Sequence, residues 1–289
     1  MVLMVSFLLS IRLAGIVMGL EFLLEPLQYS FIVRALIVSV LVGVMCPFLG
    51  AFVINREMGF MGDALAHSVL PGMVIAYGIG FSPYLGAIPN AILVALGIGY
   101  IVRKTRMSVD TSIGIVFSAL FSLGLIILAL MGGININVED ILLGQVLSTS
   151  TTDVYTTLVL TGIVTTIMIL FYKPLVFVGF DFEGSAVAGI PAVKLDYLLL
   201  SLLSVVIVMS LKVVGIVLVI GMLITPAAAA GLIVRRFSGV IILGIGFGVT
   251  SALVGLYASY YFNLPSGPAI ALASTGIFGC SLIKRWQWG

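Results

Sequence analysis

Long apolar runs, each close to the length that crosses a bilayer as a helix, follow one another along almost the whole sequence. A transmembrane α-helix needs about 20 mostly apolar residues to span the hydrocarbon core. Turn and charged residues separate the runs, which lie near residues 31–54, 60–79, 84–102, 112–131, 154–172, 195–211, 213–234, 239–262 and 266–283. They predict an all-α, polytopic membrane helical bundle with about nine transmembrane helices, in a single transmembrane domain over residues 1–289.

The helix count can be read as eight to ten. Residues 1–24 are also apolar and could form an additional N-terminal helix or an extension. They lack a small-x-small cleavage site, so we do not interpret them as a removed signal peptide. The two runs on either side of Lys212 could instead be one broken helix, which would give eight.

The composition excludes several other classes of protein. The chain is 62% hydrophobic and 8% charged, whereas soluble domains carry about 25% charged residues. The runs lack the alternating pattern of an outer-membrane β-barrel strand. No cluster of Lys and Arg is longer than a short loop, which argues against nucleic-acid binding.

The positive charges predict the orientation of the bundle, because Lys and Arg are enriched in cytoplasmic loops. The connections 80–83, 132–153 and 263–267 contain neither Lys nor Arg. The basic connections follow every second helix, at Arg56, Arg103–Arg106, Lys173, Arg235–Arg236 and Lys284–Arg285. We therefore expect the basic connections and the C-terminus to be cytoplasmic.

The single histidine of the chain, His67, lies four residues after Asp63 in an apolar run. On a helix this spacing places the two side chains on one face. Pro71 cannot donate an N–H to the carbonyl of His67. Counted from Arg56, His67 lies about 16 Å along a helix, near the middle of the bilayer.

An ionisable pair at that depth indicates function, because unpaired charge in the membrane is costly. Structural roles stay open at this point. Asp63 could cap its helix after Gly62, and a neighbouring backbone group could satisfy His67.

Other polar features have less specific interpretations. Glu139 and Asp140 in an outer loop could attract a cation at the outer mouth or could form an ordinary solvated loop. Thr225 and Pro226 predict a kink, with a pore-lining role as the alternative. Asp110 is expected to cap a helix, and Glu57 to pair with its neighbour Arg56.

The inner stretch 173–195 predicts a short helix on the cytoplasmic side. Asp181 and Glu183 supply a helix start, and Gly189 followed by Ile190 and Pro191 supplies a stop. Such a helix is too short to span a bilayer. It would offer a docking surface to a soluble partner.

The run Arg56 through Gly72 contains the pattern Met-Gly-Asp-Ala-x-x-His-x-x-x-Pro-Gly. This run resembles the membrane permeases of manganese/zinc/iron ABC importers, which have a type II importer architecture. The segments 110–115, 143–147 and 215–230 resemble the same family, in the family's order.

The resemblance implies a homodimeric permease of the prokaryotic plasma membrane. It implies a cytoplasmic ABC ATPase dimer and an extracytoplasmic metal-binding protein as partners. The divalent metal would be cargo, no cofactor would be bound permanently, and ATP would be hydrolysed by the partner rather than by this chain. The resemblance also implies that Asp63 and His67 contact the metal. The coupling segment that grips the ATPase would include Phe180, Asp181, Phe182, Glu183, Ala186 and Gly189.

Three other functions are alternatives to a metal-ion permease. A secondary carrier could use Asp63 and His67 to relay protons, and the 173–195 loop would then be dispensable. An ABC permease for cobalamin or another organic chelate would not need the pair. An intramembrane metalloprotease would need more ligands and a general base on one chain. The ligand types fit Mn²⁺, Zn²⁺ and Fe²⁺, and the Met61–Asp63 and Leu70–Gly72 segments favour manganese.

Overall fold

The computed structural model describes residues 24–105, 107–131 and 146–288, and every regular element within these ranges is helical. Short 3₁₀ turns occur at Pro26–Gln28 and Val146–Ser148. The α-helices of the described residues are α1 (Ser30–Asn55), α2 (Met61–Ser68), α3 (Leu70–Gly78), α4 (Pro83–Thr105), α5 (Val109–Leu130), α6 (Thr151–Leu170), α7 (Tyr172–Phe180), α8 (Phe182–Val187), α9 (Ala192–Val214), α10 (Ile216–Ile233), α11 (Phe237–Phe262) and α12 (Ser266–Trp288).

Eight helices of the described part are long and apolar enough to cross a membrane, with mean hydropathies from 1.4 to 2.7. The predicted polytopic helical bundle is therefore confirmed. The run predicted over 60–79 is not one helix, because α2 and α3 are separated at Val69. Together they span about 27 Å, enough for an interrupted ninth crossing. Most of the N-terminal stretch 1–24 lies outside the described residues.

The helices on either side of Lys212 are separate. α9 ends at Val214 and α10 begins at Ile216, with Gly215 between them at φ 80°. A positive φ of this size is readily adopted by glycine and rarely by other residues. The two-helix interpretation of this region is therefore correct.

Ion pairs show which helix ends lie together. At one end of the bundle, Arg56 after α1 and Arg103 in the last turn of α4 both contact Asp196 near the start of α9. At the other end, Lys212 near the end of α9 contacts Asp153 at the start of α6. The ends alternate as expected for consecutive crossings, and the basic connections fall at one end.

The break at Val69 also divides the apolar packing. Met61 and Leu65 of α2 belong to the main hydrophobic core. Val69 and Met73 belong to a separate small cluster with residues of α4 and α9. α3 and α4 approach closely, since a Cβ placed on Gly86 would lie 2.0 Å from the carbonyl oxygen of Gly72. The second half of the interrupted crossing is thus packed mainly with α4.

Glycine also allows α1 to contact α10 and α11 closely, as small residues do in membrane bundles. A Cβ on Gly248 of α11 would lie 2.3 Å from the carbonyl oxygen of Gly43. A Cβ on Gly50 would lie 1.7 Å from the carbonyl oxygen of Leu223 in α10. These helices can keep their spacing only without side chains at these positions.

Gly50→Ala is expected to destabilise the bundle, because α1 and α10 must move apart to admit the methyl group. Overpacking of a tight contact costs about 1–3 kcal/mol. The measurement is the midpoint of thermal unfolding of the purified protein in detergent. Gly246→Ala is the matched control, since its added Cβ meets nothing within 4 Å. Equal midpoints for the two variants would contradict the expectation.

Candidate metal-contact site

The site is built at the interruption between α2 and α3. Pro71 lies in the first turn of α3, where its missing N–H is tolerated. The carbonyl of His67 accepts the N–H of Val69 at the end of α2. The Nδ2 of Asn90 on α4 donates to the carbonyl of Ser68 at 2.7 Å. A side chain from another helix therefore satisfies backbone that the break exposes.

Asp63 and His67 lie on one face of α2, as their spacing predicts. The Oδ1 of Asp63 is 3.4 Å from the Nε2 of His67. This distance exceeds the usual 2.7–3.2 Å of an N–H···O bond. The Asp63 side chain is 47% exposed and that of His67 is 26% exposed. Both groups can therefore still accept a further partner on the open side.

The pair lies nearer to the start of its helix than the sequence predicts. Residues 57–60 are not helical, and α2 begins at Met61. His67 is therefore about 9 Å along the helix axis from Met61, instead of 16 Å from Arg56.

Two phenylalanines of α5 enclose one side of the imidazole. The ring centroid of His67 is 5.9 Å from that of Phe117 and 5.5 Å from that of Phe121, with the second contact edge-to-face. The two phenyl rings stack on each other at 5.7 Å. This wall is apolar and offers the imidazole no hydrogen-bond partner. No local sequence pattern indicates these contacts.

The alternative in which Asp63 caps its helix is wrong. Phe60 occupies the N-cap of α2, and no side chain caps this helix end. Among the described residues, no group of three or more His, Cys, Asp or Glu side chains could hold a metal ion. The described part of one chain thus offers two candidate ligands at this place, whereas divalent metals take four or more.

Arg56 does not pair with Glu57 as predicted. Glu57 adopts a positive φ of 56° and is exposed. The Nη1 of Arg56 instead donates to Oδ1 of Asp196, and the Nη1 of Arg103 donates to Oδ2 at 2.5 Å. Arg103 also lies over the ring of Tyr197, 4.0 Å from its centroid. Burial lowers the pKa of the Arg56 guanidinium, and the charge of Asp196 opposes this shift.

The opposite end of the bundle carries a second ion pair. The Nζ of Lys212 donates to Oδ1 of Asp153 at 2.7 Å. Asp153 also forms a capping box with Ser150 at the start of α6. This carboxylate is therefore already neutralised. The candidate outer-mouth residues Glu139 and Asp140 lie outside the described residues.

The stretch 173–195 contains the short helix that the sequence predicts. Asp181 caps α8 by accepting the N–H of Gly184 at 2.8 Å, and Gly189 ends the segment at φ 79°. Phe180 packs edge-to-face against Phe237 at 5.6 Å. The side chains of Phe182, Glu183, Ala186 and Val187 are exposed. The start of the segment, at Phe180 and Asp181, is therefore held in place. The exposed side chains of α8, which form its tip, are available to a partner.

The remaining predicted positions lie within helices. Pro226 is buried inside α10, which continues through it, with Thr225 half-buried beside it. Asp110 lies in the first turn of α5, but the cap is the hydroxyl of Ser108, which accepts the N–H of Thr111 at 3.2 Å. The prediction that Asp110 caps this helix is therefore wrong.

In the described part of the chain, eight helices long and apolar enough to cross a bilayer, with the interrupted pair α2 and α3, are typical of a polytopic membrane protein. A model of the ABC 3 transport family matches residues 28–285. The chain belongs to this family, and the resemblance drawn from the sequence is confirmed.

Individual relatives are similar to this chain over nearly its whole length. The manganese transport system membrane protein MntC of Halalkalibacterium halodurans is 43% identical over 254 residues, which cover 88% of this chain and 87% of the relative. The chelated iron transport system membrane protein YfeC of Yersinia pestis is 36% identical over 259 residues, covering 90% and 88%. The solved structure of PsaBC from Streptococcus pneumoniae in complex with Fab superposes with a TM-score of 0.78 at 34% identity, covering 90% of this chain and 94% of that chain.

Proposed function

We propose that this chain is the permease subunit of an ATP-driven importer that moves divalent metal ions into the cytoplasm. The observation that carries the proposal is the partly exposed pair of Asp63 and His67, 3.4 Å apart on one face of α2. Relatives named for manganese and for chelated iron transport support it. Manganese is the favoured cargo, with Fe²⁺ and Zn²⁺ as ions that the same ligand types accept.

Two copies of the chain complete the metal site in this proposal. One copy contributes a carboxylate and an imidazole, and a two-fold axis beside α2 supplies a second set. Two carboxylates and two imidazoles suit these metals, with water filling further positions. The Phe117 and Phe121 wall keeps one side of the site dry. A set without thiolates binds the ion weakly enough for release, as transport requires.

The partners follow from the two ends of the bundle. The end with Arg56, the 173–195 stretch and the C-terminus is cytoplasmic, because it carries the basic connections. The exposed tip of α8, with Phe182, Glu183 and Ala186, docks the ATPase, while Phe180, Asp181 and Gly189 hold it in place. ATP binding shifts this segment and tilts helices, which switches the access of the site. An extracytoplasmic binding protein delivers the metal at the other end.

Five residues are proposed to act on the pathway between the two ends. Pro71 permits the break beside the metal ligands. Thr225 and Pro226 would line or kink a neighbouring helix. Glu139 and Asp140 would attract the cation at the outer mouth.

The test is the total metal content of cells, measured by mass spectrometry. The host lacks its own importers and expresses the chain with its ATPase and binding protein. We expect wild type to accumulate one divalent metal, and His67→Ala to lose at least about tenfold of that uptake, because removing one metal ligand costs more than 1.4 kcal/mol. The accumulated metal identifies the cargo.

Glu57→Gln is the control, because it alters an exposed acidic residue next to the same helix. It should transport as wild type does. Membrane levels of each variant are compared by immunoblot. Uptake by His67→Ala equal to that of wild type would show that the histidine is structural.

A further inference from the structure

A cavity of about 320 Å³ lies beside the ion cluster, at the ends of α1, α4 and α9 and against α7 and α8. Its walls are mainly apolar and include Met58, Val102 and Leu200. Arg56 and Arg103 supply the cationic part of the lining. The cavity is separate from the Asp63 and His67 pair, neither of which lines it.

Both arginines have hydrogen-bonding capacity left over. Each guanidinium uses its Nη1 on Asp196. The Nη2 of Arg56 and the Nη2 of Arg103 are buried, and neither has a hydrogen-bond partner among the described residues. A buried donor without an acceptor loses its hydration without compensation. These two groups therefore require an acceptor that the described chain does not supply.

The charge of the lining defines the chemistry of that acceptor. Two arginines and one aspartate leave one positive charge in excess. A divalent cation would be repelled, so the cavity is no part of a metal pathway. Water can accept the hydrogen bonds but leaves the charge uncompensated. An anion meets both requirements, and an oxyanion matches the planar guanidinium geometry.

We propose that this cavity binds the phosphate head group of an anionic membrane lipid. On binding, the two guanidinium groups turn their buried Nη2 atoms towards the phosphate oxygens, which accept their hydrogen bonds. The glycerol and first methylenes contact the apolar walls. Basic pockets between transmembrane helices at the membrane surface are suited to such head groups. A carboxylate from a soluble partner would use the cations but would leave the apolar walls unfilled.

The chain offers a variant that blocks the cavity without removing a charge. A Cβ on Gly99 would lie 3.5 Å from the Nη2 of Arg103 and 2.6 Å from the flexible end of Leu200. Gly99→Ala therefore occupies the space that a phosphate oxygen needs. Gly97→Ala, on the same helix, is the matched control, because its Cβ meets nothing within 4 Å. Arg103→Met removes one donor and leaves Asp196 paired with Arg56.

The experiment counts lipids on the purified complete importer by native mass spectrometry. The probes are phosphatidylglycerol, phosphatidylcholine and inorganic phosphate, each added separately. We expect wild type and Gly97→Ala to retain phosphatidylglycerol in preference to phosphatidylcholine. Gly99→Ala and Arg103→Met should bind it about tenfold more weakly, the effect of losing one charge-assisted contact.

Three results would overturn the proposal. The first is that Gly97→Ala retains no more phosphatidylglycerol than Gly99→Ala and Arg103→Met do. The second is occupancy by inorganic phosphate with no retained lipid. The third is loss of the co-purifying ATPase from Arg103→Met with unchanged lipid, which would assign the cavity to an acidic side chain of that partner. None of these results depends on which metal is transported.

Discussion

Asp196→Ala is expected to prevent most of the protein from reaching a folded state. The single carboxylate contacts both Arg56 and Arg103, whose side chains are 11% and 24% exposed. Without it, two cations face each other at close range in a site largely removed from water. Removing one partner of a buried ion pair costs about 3–5 kcal/mol, which is a large share of the 5–15 kcal/mol that stabilises a typical fold.

The measurement is the yield of monodisperse protein on fluorescence-detected size-exclusion chromatography, with the thermal midpoint of whatever folds. Asp110→Ala is the control, because Asp110 is an exposed acid in the first turn of a neighbouring helix. Adding Arg103→Met to Asp196→Ala removes one of the two unpaired cations and should recover part of the yield. A wild-type yield from Asp196→Ala alone would show that the cluster contributes little to folding.

A dimer with one wild-type copy and one His67→Ala copy is expected to lose nearly all metal transport. In the proposed shared site, one defective copy removes a ligand from the single site of the whole assembly. Two independent sites would instead leave about half of the activity. The two readings therefore differ by far more than the error of an uptake assay.

The mixed dimer is purified through two different affinity tags and reconstituted with the ATPase and binding protein. Uptake of ⁵⁴Mn into vesicles is then compared with that of doubly tagged wild type. Loss of about tenfold or more supports the shared site, in line with the cost of a metal ligand. Half-maximal uptake would place a complete site in each copy.

The order of the long helices and their approximate number could be predicted from the sequence, because apolar length decides which segments can cross a membrane. The predicted helix over 60–79 proved to be two short helices. The bounds of the long helices were predicted too short where polar residues extend the helix. Arg103 and Lys104 continue α4, and the capping box of Ser150 starts α6 before the apolar run. Hydropathy detects the apolar part of a helix, whereas caps and terminal charges decide where it ends.

The candidate site could be predicted in part. The shared face of Asp63 and His67 follows from local spacing. The contact between Arg56 and Asp196 joins residues 140 positions apart, so no local rule identifies it. The adjacent Glu57 is the acidic partner that the sequence predicts for Arg56, and it is the wrong one. Pro71 indicated a break, but its position at Val69 depends on Asn90 and on the close approach of Gly72 to Gly86. These are tertiary contacts that a single sequence does not specify.

The break at Val69 has a mechanical consequence for the proposed transport cycle. A continuous helix would transmit any tilt of its inner half to its outer half. Here Asp63 and His67 lie on the short helix α2, which packs into the main core. The following helix α3 packs against α4 through its own apolar cluster. The hydrogen bond from Asn90 of α4 to the carbonyl of Ser68 holds the chain at the break between α2 and α3. In the proposed function, α2 with Asp63 and His67 can therefore tilt with the core by a different amount than α3 does.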